Sequence, residues 1–394
     1  MKDVGHTKKA VSLLSAEELK KINDDLRNPI DYRKSGLSLN HIVGCPLDCS
    51  YCVRHIFDSY DMRTPKAIMS DDEAVAALLS HKFFQRNITP LQLFNRATDP
   101  FLPNVKPHTF HVLNLLDQQR ITNHVLLITR YHVNTEDCHF LNSLNFLRVT
   151  VLVTYSGIDD AKIEPVNSNI AVKSLMTLYQ NAVKYKVIMY WRPIIPGVND
   201  SDRHIERAID VAKYCHAVAT TGLFFRQQMV EHFDKEGIEK PYNEIARRKI
   251  LPQVQEKLVL SRLIEARLLD SQVAPIFRKT SCAVSYAHRN PDYNGHYGIR
   301  EICDICPESQ VAICANSWTI PSISKVSATA SKVGINQIPT ISERSVSFHG
   351  VPEQERYYVQ HTLEFQCHDS LKPHHAHLHG RADIGWDVAH EVPI

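Results

Sequence analysis

Short β-branched or apolar runs alternate with longer stretches of helical periodicity over the first two thirds of the chain. The runs fall at 36–43, 91–95, 124–129, 148–155, 186–191 and 217–225. Between and after them, 72–84, 105–119, 135–144, 170–185, 202–214 and 242–269 carry apolar residues at helical spacing. Six strands, each followed by a helix, predict an α/β fold with a parallel sheet and right-handed crossovers. The pattern suits an open doubly wound sheet or a partial βα barrel. Upstream, Ser15 and Glu18 form a capping-box signature that predicts a lead-in helix over 16–26.

After about residue 270 the alternation stops. Residues 273–320 hold four cysteines among Pro, Asn, Gly and Tyr, which predicts irregular chain organised by a metal. Beyond 321, the runs 344–348 and 356–365 predict antiparallel strands, and 373–390 is a histidine-rich tail. The expected organisation is a lead-in helix (1–35), a sheet-and-helix domain (36–270), a cysteine-rich metal-binding segment (271–320) and a small mostly β domain with the tail (321–394). No internal repeat or long low-complexity linker is present.

Composition narrows the class only a little. At 394 residues, 43% hydrophobic and 22% charged, the chain can bury a sizeable core, so wholesale disorder is excluded. A formal charge of +2 argues for neither a nucleic-acid nor a membrane partner by itself, although a local basic groove stays open. No run approaches the roughly 18 apolar residues of a membrane span, and residues 1–10 lack a signal-peptide core. The expectation is therefore a cytoplasmic protein without a membrane partner. In that compartment ten cysteines point to metal rather than to disulfides.

The cysteines are grouped. Cys45-Pro-Leu-Asp-Cys49-Ser-Tyr-Cys52 follows directly on the first predicted strand, at the end where sheet-based sites are built. Three thiolates so close together can hold three irons of a cubane and leave the fourth open. The plainer readings are three structural cysteines or half of a zinc site, but zinc wants four ligands and no fourth lies nearby in sequence.

This loop resembles the signature of the radical S-adenosylmethionine (SAM) superfamily, three cysteines spaced C-x3-C-x2-C after the first strand with an aromatic residue, here Tyr51, before the last. Asn95-Arg96-Ala97-Thr98-Asp99-Pro100-Phe101-Leu102-Pro103, Glu164-Pro165 and the segment Arg192 to Asp200 resemble the spore photoproduct lyase-like branch of that superfamily. The likeness spans roughly 36–225. It implies a partial (β/α)6 TIM-type barrel and a [4Fe-4S] cluster on Cys45, Cys49 and Cys52 with an open iron. SAM would be chelated there and cleaved reductively to a 5'-deoxyadenosyl radical that takes hydrogen from a substrate.

By the same resemblance Tyr51, Asn95, Thr98, Asp99, Ser156, Arg192 and Gly197 are the expected SAM contacts. Thr98 and Asp99 would lie near the amino group, Ser156 at the ribose or carboxylate, Arg192 on the carboxylate and Gly197 in backbone passing the adenine. Taken singly, each also reads as a cap or turn residue. One departure matters: the lyase carries a hydrogen-donating cysteine at a position that is Ala97 here, so its dimer-splitting route lacks that thiol. Cys138, Cys215 and Cys367 read as buried structural cysteines.

Cys282, Cys303, Cys306 and Cys314 form the second set, able to close an auxiliary [4Fe-4S] cluster or a tetrahedral zinc, with no metal as the third reading. Alternating histidines in the tail (His375, His377, His379) suit a metal or phosphate contact as well as a solvated surface strand. The implied partners are SAM, a reducing partner such as flavodoxin or ferredoxin, and a substrate. A nucleic acid or nucleotide is the first expectation, drawn from the lyase-like branch and from stretches such as Arg247-Arg248. A peptide is the second, a small molecule the third, and a non-catalytic iron-sulfur binding module is the rival.

Overall fold

A computed structural model describes residues 11–195, 197–223, 227–239 and 264–371. Residues 242–263 of the helix expected over 242–269, with Arg247-Arg248, and all residues from 372 onward, the histidine-rich tail among them, lie outside the described residues.

The central sheet has eight strands: β1 (Ile30–Arg33), β2 (Gly36–Leu39), β5 (Leu91–Leu93), β6 (His124–Thr129), β7 (Arg148–Tyr155), β8 (Lys186–Ile194), β9 (Ala217–Gly222) and β10 (Ile276–Phe277). They are neighbours in that order, and a small pair, β3 (Ile42–Val43) and β4 (Lys66–Ala67), flanks them. β1 pairs antiparallel with β2, and every later pair is parallel. Each parallel strand lies beside its predecessor without a reversal of order. The sheet is therefore singly wound, as in a partial barrel, and the doubly wound alternative falls away.

The crossovers are helices α3 (Asp71–Ser80), α4 (Lys106–Gln118), α5 (Thr135–Ser143), α6 (Ser168–Asn181) and α7 (Asp202–Ala212). Side-chain alternation divides the strands between two cores. Val149, Val151 and Val153 of β7 face these helices in the main core, whereas Leu152 packs the opposite face with Leu126, Ile188, Ala217 and Ala219. Ala283 and Val284 of the helix Thr280–His288 cover that inner face. Burial of each such Val or Leu contributes about 1.5–3 kcal/mol.

Three expectations are corrected. The lead-in helix is two helices, α1 (Ala16–Lys21) and α2 (Asp24–Arg27), because the Asn23 side chain accepts from the Asp25 amide and starts a second one. The cysteine-rich segment is not irregular chain: it holds the helices Thr280–His288, Arg300–Cys303 and Glu308–Ser317, and through β10 it belongs to the sheet, so the sheet crosses the boundary expected at residue 270. The described part of the C-terminal unit is mixed rather than mostly β. A three-stranded sheet, β11 (Thr340–Ile341), β12 (Ser345–Phe348) and β13 (Gln366–Asp369), packs with the helices Ile323–Ser331 and Glu353–Leu363.

The run 356–365 is helical over most of its length. Arg356, Tyr358, Val359, Gln360 and His361 are all buried, and His361 Nδ1 lies 2.8 Å from the Tyr32 hydroxyl on β1. No helix among the described residues is long and apolar enough to cross a membrane.

Candidate metal and cofactor site

The first cysteine loop leaves the sheet through Gly44, whose φ of +98° is reserved for glycine; a Cβ there would sit 2.6 Å from the Thr64 carbonyl oxygen. The next residue, Cys45, donates its amide to the Met62 carbonyl at 2.8 Å. Cys45 and Cys49 are buried, Cys52 is half-buried, and all three line one cavity of about 310 Å³ at the C-terminal ends of the strands. Burial pushes the Cys45 thiol up to about 11 and holds the Cys49 thiol well above its ordinary value. Such thiols ionise when a metal takes the sulfur.

Sulfur spacing bears on which metal. In a tetrahedral zinc site with Zn–S bonds of about 2.3 Å the sulfurs lie about 3.8 Å apart. Among the described residues, the one trio of His, Cys, Asp or Glu ligand atoms mutually within 4.8 Å is Cys282, Asp292 and His296. The sulfurs of Cys45, Cys49 and Cys52 are not all mutually within that distance.

The rim of the cavity is polar. Asn95, Thr98 and Asp99 follow β5, Thr129 and Arg130 end β6, Thr154 lies on β7 and Arg192 on β8. Asn95 Oδ1, Thr98 Oγ1 and Arg192 Nε are buried and have no hydrogen-bond partner among the described residues. The Arg192 guanidinium stacks over the Tyr190 ring at 4.2 Å. Asp99 is differently placed. Its carboxylate accepts from the Phe101 amide at 2.9 Å, the Thr129 hydroxyl at 2.7 Å and the Arg130 amide at 2.9 Å, so it braces the loop, and burial raises its pKa.

Tyr51 also lines the cavity, with its hydroxyl bonded to Glu164 and Arg130. Ser156 and Gly197 are not part of the lining. The buried Ser156 hydroxyl accepts from the Ile158 amide at 3.3 Å, and the Gly197 amide donates to Asp200 at 2.8 Å in the turn after β8.

The fold gathers the second cysteine set at the far end of the inner face. Cys282 and Cys306 pack with Leu126, Leu152 and Ile188, on residues nearer the N-terminal ends of those strands than the cavity-lining Ile128, Thr154 and Arg192. Burial pushes the Cys282 thiol well up, with Asp292, Cys306, Cys303 and Cys314 adding in the same direction. His296 Nδ1 lies 2.7 Å from Asp292 Oδ2 and 4.0 Å from the Cys282 sulfur. No three sulfurs of this set are mutually within 4.8 Å.

No protein-family model and no curated protein matches the chain. Among solved structures, the fold is similar to spore photoproduct lyase complexed with dinucleoside spore photoproduct, at 12% identity and a TM-score of 0.46, over 63% of this chain and 78% of that one. It is also similar to Streptococcus suis SuiB bound to S-adenosylmethionine, at 11% identity and a TM-score of 0.44, over 67% of this chain and 55% of that one. The chain thus spans about half the length of SuiB.

Two site residues escape a reading of the sequence. Arg130 forms a buried ion pair with Glu164, which the sequence offers only as half of a Glu-Pro dipeptide. An arginine directly after a strand reads as a surface charge, and only its place beside Thr129 on the same rim hints otherwise. Arg54, two residues past Cys52, is 1% exposed and lines the cavity. Cys138 and Cys215 lie in the main core and Cys367 in the C-terminal one, away from the cavity.

Proposed function

We propose that the chain is a radical SAM enzyme that cleaves S-adenosylmethionine reductively and abstracts hydrogen from a nucleic-acid or nucleotide substrate. The observation that carries this reading is the cavity itself. Three cysteines share it with Asn95, Thr98 and Arg192, each of which has one polar atom, Oδ1, Oγ1 and Nε, buried without a partner among the described residues. A [4Fe-4S] cluster held by Cys45, Cys49 and Cys52 would supply the electron and an open iron for the methionine end of SAM.

The chain's own residues bind and orient. The Arg192 guanidinium is suited to a carboxylate. Asn95 and Thr98 offer an acceptor and a hydroxyl within the same enclosure, and the saturated Asp99 keeps their loop in place. Ile195, Leu223 and Phe233 form an apolar cluster with Tyr51, on the side of the loop that limits water. The nucleotide assignment rests on the resemblance of residues 95–103 to the lyase-like branch. Because Ala97 lines the cavity where that branch has a thiol, modification of the substrate is favoured over dimer splitting.

In this reading Cys282, Cys303, Cys306 and Cys314 hold an auxiliary [4Fe-4S] cluster, supported by their mutual proximity, with flavodoxin or ferredoxin as the electron donor. The close trio Cys282, Asp292 and His296 favours a second reading of that site, a single zinc ion.

The test is iron, sulfide and zinc content after anaerobic reconstitution of wild type and of a Cys45, Cys49 and Cys52 to Ala variant, with 5'-deoxyadenosine assayed after reduction with SAM. Roughly eight irons falling to about four, with nucleoside formation lost, is expected. Roughly four irons with zinc in the wild type would select the zinc reading. No nucleoside from a fully loaded protein, with or without nucleotide or peptide, would leave a non-catalytic binding module. Binding of single-stranded nucleic acid that weakens steeply with salt would favour the nucleic-acid substrate over a peptide.

A further inference from the structure

The cavity contains a cation that the function above does not use. Arg54 lies on the single helical turn Val53–Phe57 that follows Cys52, and its side chain is almost fully buried. The guanidinium lies over the Tyr60 ring at 5.2 Å, and one nitrogen, Nη1, carries all of its hydrogen bonds: it donates to the carbonyls of Ser59 at 3.2 Å, Tyr60 at 2.9 Å and Met62 at 3.2 Å. Nε and Nη2 are buried with no partner among the described residues. A guanidinium has five N–H donors, so three of them are left over.

The other arginines of the cavity each have a charged or aromatic partner, and each leaves only its Nε or no nitrogen buried and unbonded among the described residues. Arg130 pairs with Glu164, Arg96 reaches Asp31 at 3.3 Å, and the half-buried Arg192 stacks on Tyr190. No carboxylate of the described residues pairs with Arg54. Arg54 instead lines the same cavity as Cys45, Cys49 and Cys52. A buried cation without a counter-ion is costly, and its retention calls for a negative partner supplied from the cavity side. SAM is a poor candidate for that partner, because its one carboxylate is already assigned to Arg192 and its sulfonium and ammonium are positive. A cluster bound by three thiolates is net negative and gains a further negative charge on reduction.

We propose that Arg54 is the resident counter-charge of the three-cysteine centre, donating through Nε and Nη2 to its sulfurs and raising its reduction potential. The inference rests on the first loop holding an iron-sulfur cluster. Hydrogen bonds and positive charge at cluster sulfurs stabilise the reduced state. Arg54 is thus a positioning and tuning residue, and a lysine there would keep the charge but not the fork of donors.

The experiment uses the full-length chain carrying Cys303→Ala and Cys306→Ala, so that one centre is observed, reconstituted anaerobically without SAM. Its potential is read by EPR-monitored titration in Arg54, Arg54→Lys and Arg54→Gln forms, with Arg207→Gln, outside the cavity lining and paired with Asp159, as control. The Gln variant is expected to shift to a more negative potential, Lys to recover part of the shift, and the control to stay at the parent value. An unchanged potential in Arg54→Gln at normal iron content would reduce Arg54 to a clamp for the loop 59–62.

Should the Gln variant fail to load, the parent protein with 15N-labelled arginine answers instead. Coupling of an arginine nitrogen to the reduced centre by pulsed EPR is expected, and its absence would overturn the proposal. Failure of the parent to assemble any iron-sulfur centre would be a failure of the underlying function, visible before any Arg54 variant is made.

Discussion

The Cys49 sulfur lies 3.4 Å from Glu164 Oε1 and donates its thiol hydrogen there, while the other carboxylate oxygen takes the Tyr51 hydroxyl and the Arg130 guanidinium. One carboxylate after β7 thus ties the cysteine loop after β3 to the end of β6. A single acidic residue fixes where the second cysteine stands, and Arg130 pairs with that residue in a buried place.

Removal of Arg130 alone should leave Glu164 charged and unpaired. Arg130→Met is expected to lower stability by about 3–5 kcal/mol, the usual cost of breaking one side of a buried pair. The double variant Arg130→Met with Glu164→Leu should recover most of the loss, because no stranded charge remains. Urea unfolding of the metal-free proteins reads both. A double variant no more stable than Arg130→Met would show that the pair contributes through geometry rather than charge.

Asp99→Asn tests the brace. An amide nitrogen would face one of the three donors that Asp99 now accepts. The expected loss is about 1–3 kcal/mol of stability, together with at least tenfold weaker SAM binding as Thr98 and Arg130 lose their register. Equilibrium dialysis against SAM on the iron-loaded protein checks it. Unchanged affinity would separate the Asp99 loop from the cofactor.

The strands and crossover helices were legible because each β-branched run is bounded by turn residues and each helix has one apolar face. The helix Thr280–His288 was not. Ser281, Cys282, Ala283, Val284 and Ser285 are all buried, so the segment lacks the polar stripe that announces a helix, and its cysteines drew the reading toward metal-organised coil. The helix Glu353–Leu363 was hidden differently: its Tyr, Tyr, Val and Thr have strand propensity, and its register is set by partners far away in sequence such as Tyr32 and Asn294. The first cysteine loop was legible as a metal motif by spacing alone, whereas Arg54 and Arg130 acquire meaning only from what the fold places against them.

Two buried rings make stability depend on pH. His124 and His288 meet edge to face at 5.0 Å beneath the sheet, and His288 Nε2 lies 2.9 Å from the Thr150 hydroxyl. Burial, with nearby Arg148, lowers the His124 pKa to about 3, and burial with the neighbouring His124 lowers that of His288 to about 2. Below the ordinary value of about 6.5 the unfolded chain binds protons that the folded one refuses, so stability is complete above that pH and falls as pH drops toward 3. Each ring should contribute a slope of about 1.4 kcal/mol per pH unit in that window. Urea titrations from pH 7 to pH 4 should show His288→Asn with a slope shallower by about one ring's share. An equal slope in the variant would place the acid sensitivity elsewhere.

The two cysteine sets should fail separately when the glycine beside each is filled. A Cβ on Gly44 would meet the Thr64 and Met62 carbonyl oxygens at 2.6 and 3.0 Å, and relief of that clash must pull Cys45 from its bond to Met62. At Gly295, φ is +68° and a Cβ would lie 2.3 Å from the Glu364 carbonyl oxygen, so the chain next to His296 must part from the end of the helix Glu353–Leu363. Gly44→Ala is expected to lose the metal of Cys45, Cys49 and Cys52 while the second set stays loaded, and Gly295→Ala to do the reverse. Metal analysis with EPR on each single variant distinguishes the two losses, provided circular dichroism shows the sheet intact. Simultaneous loss of both metals in either variant would mean that the two ends of the inner face, joined through Leu126, Leu152 and Ile188, fold and load as one unit.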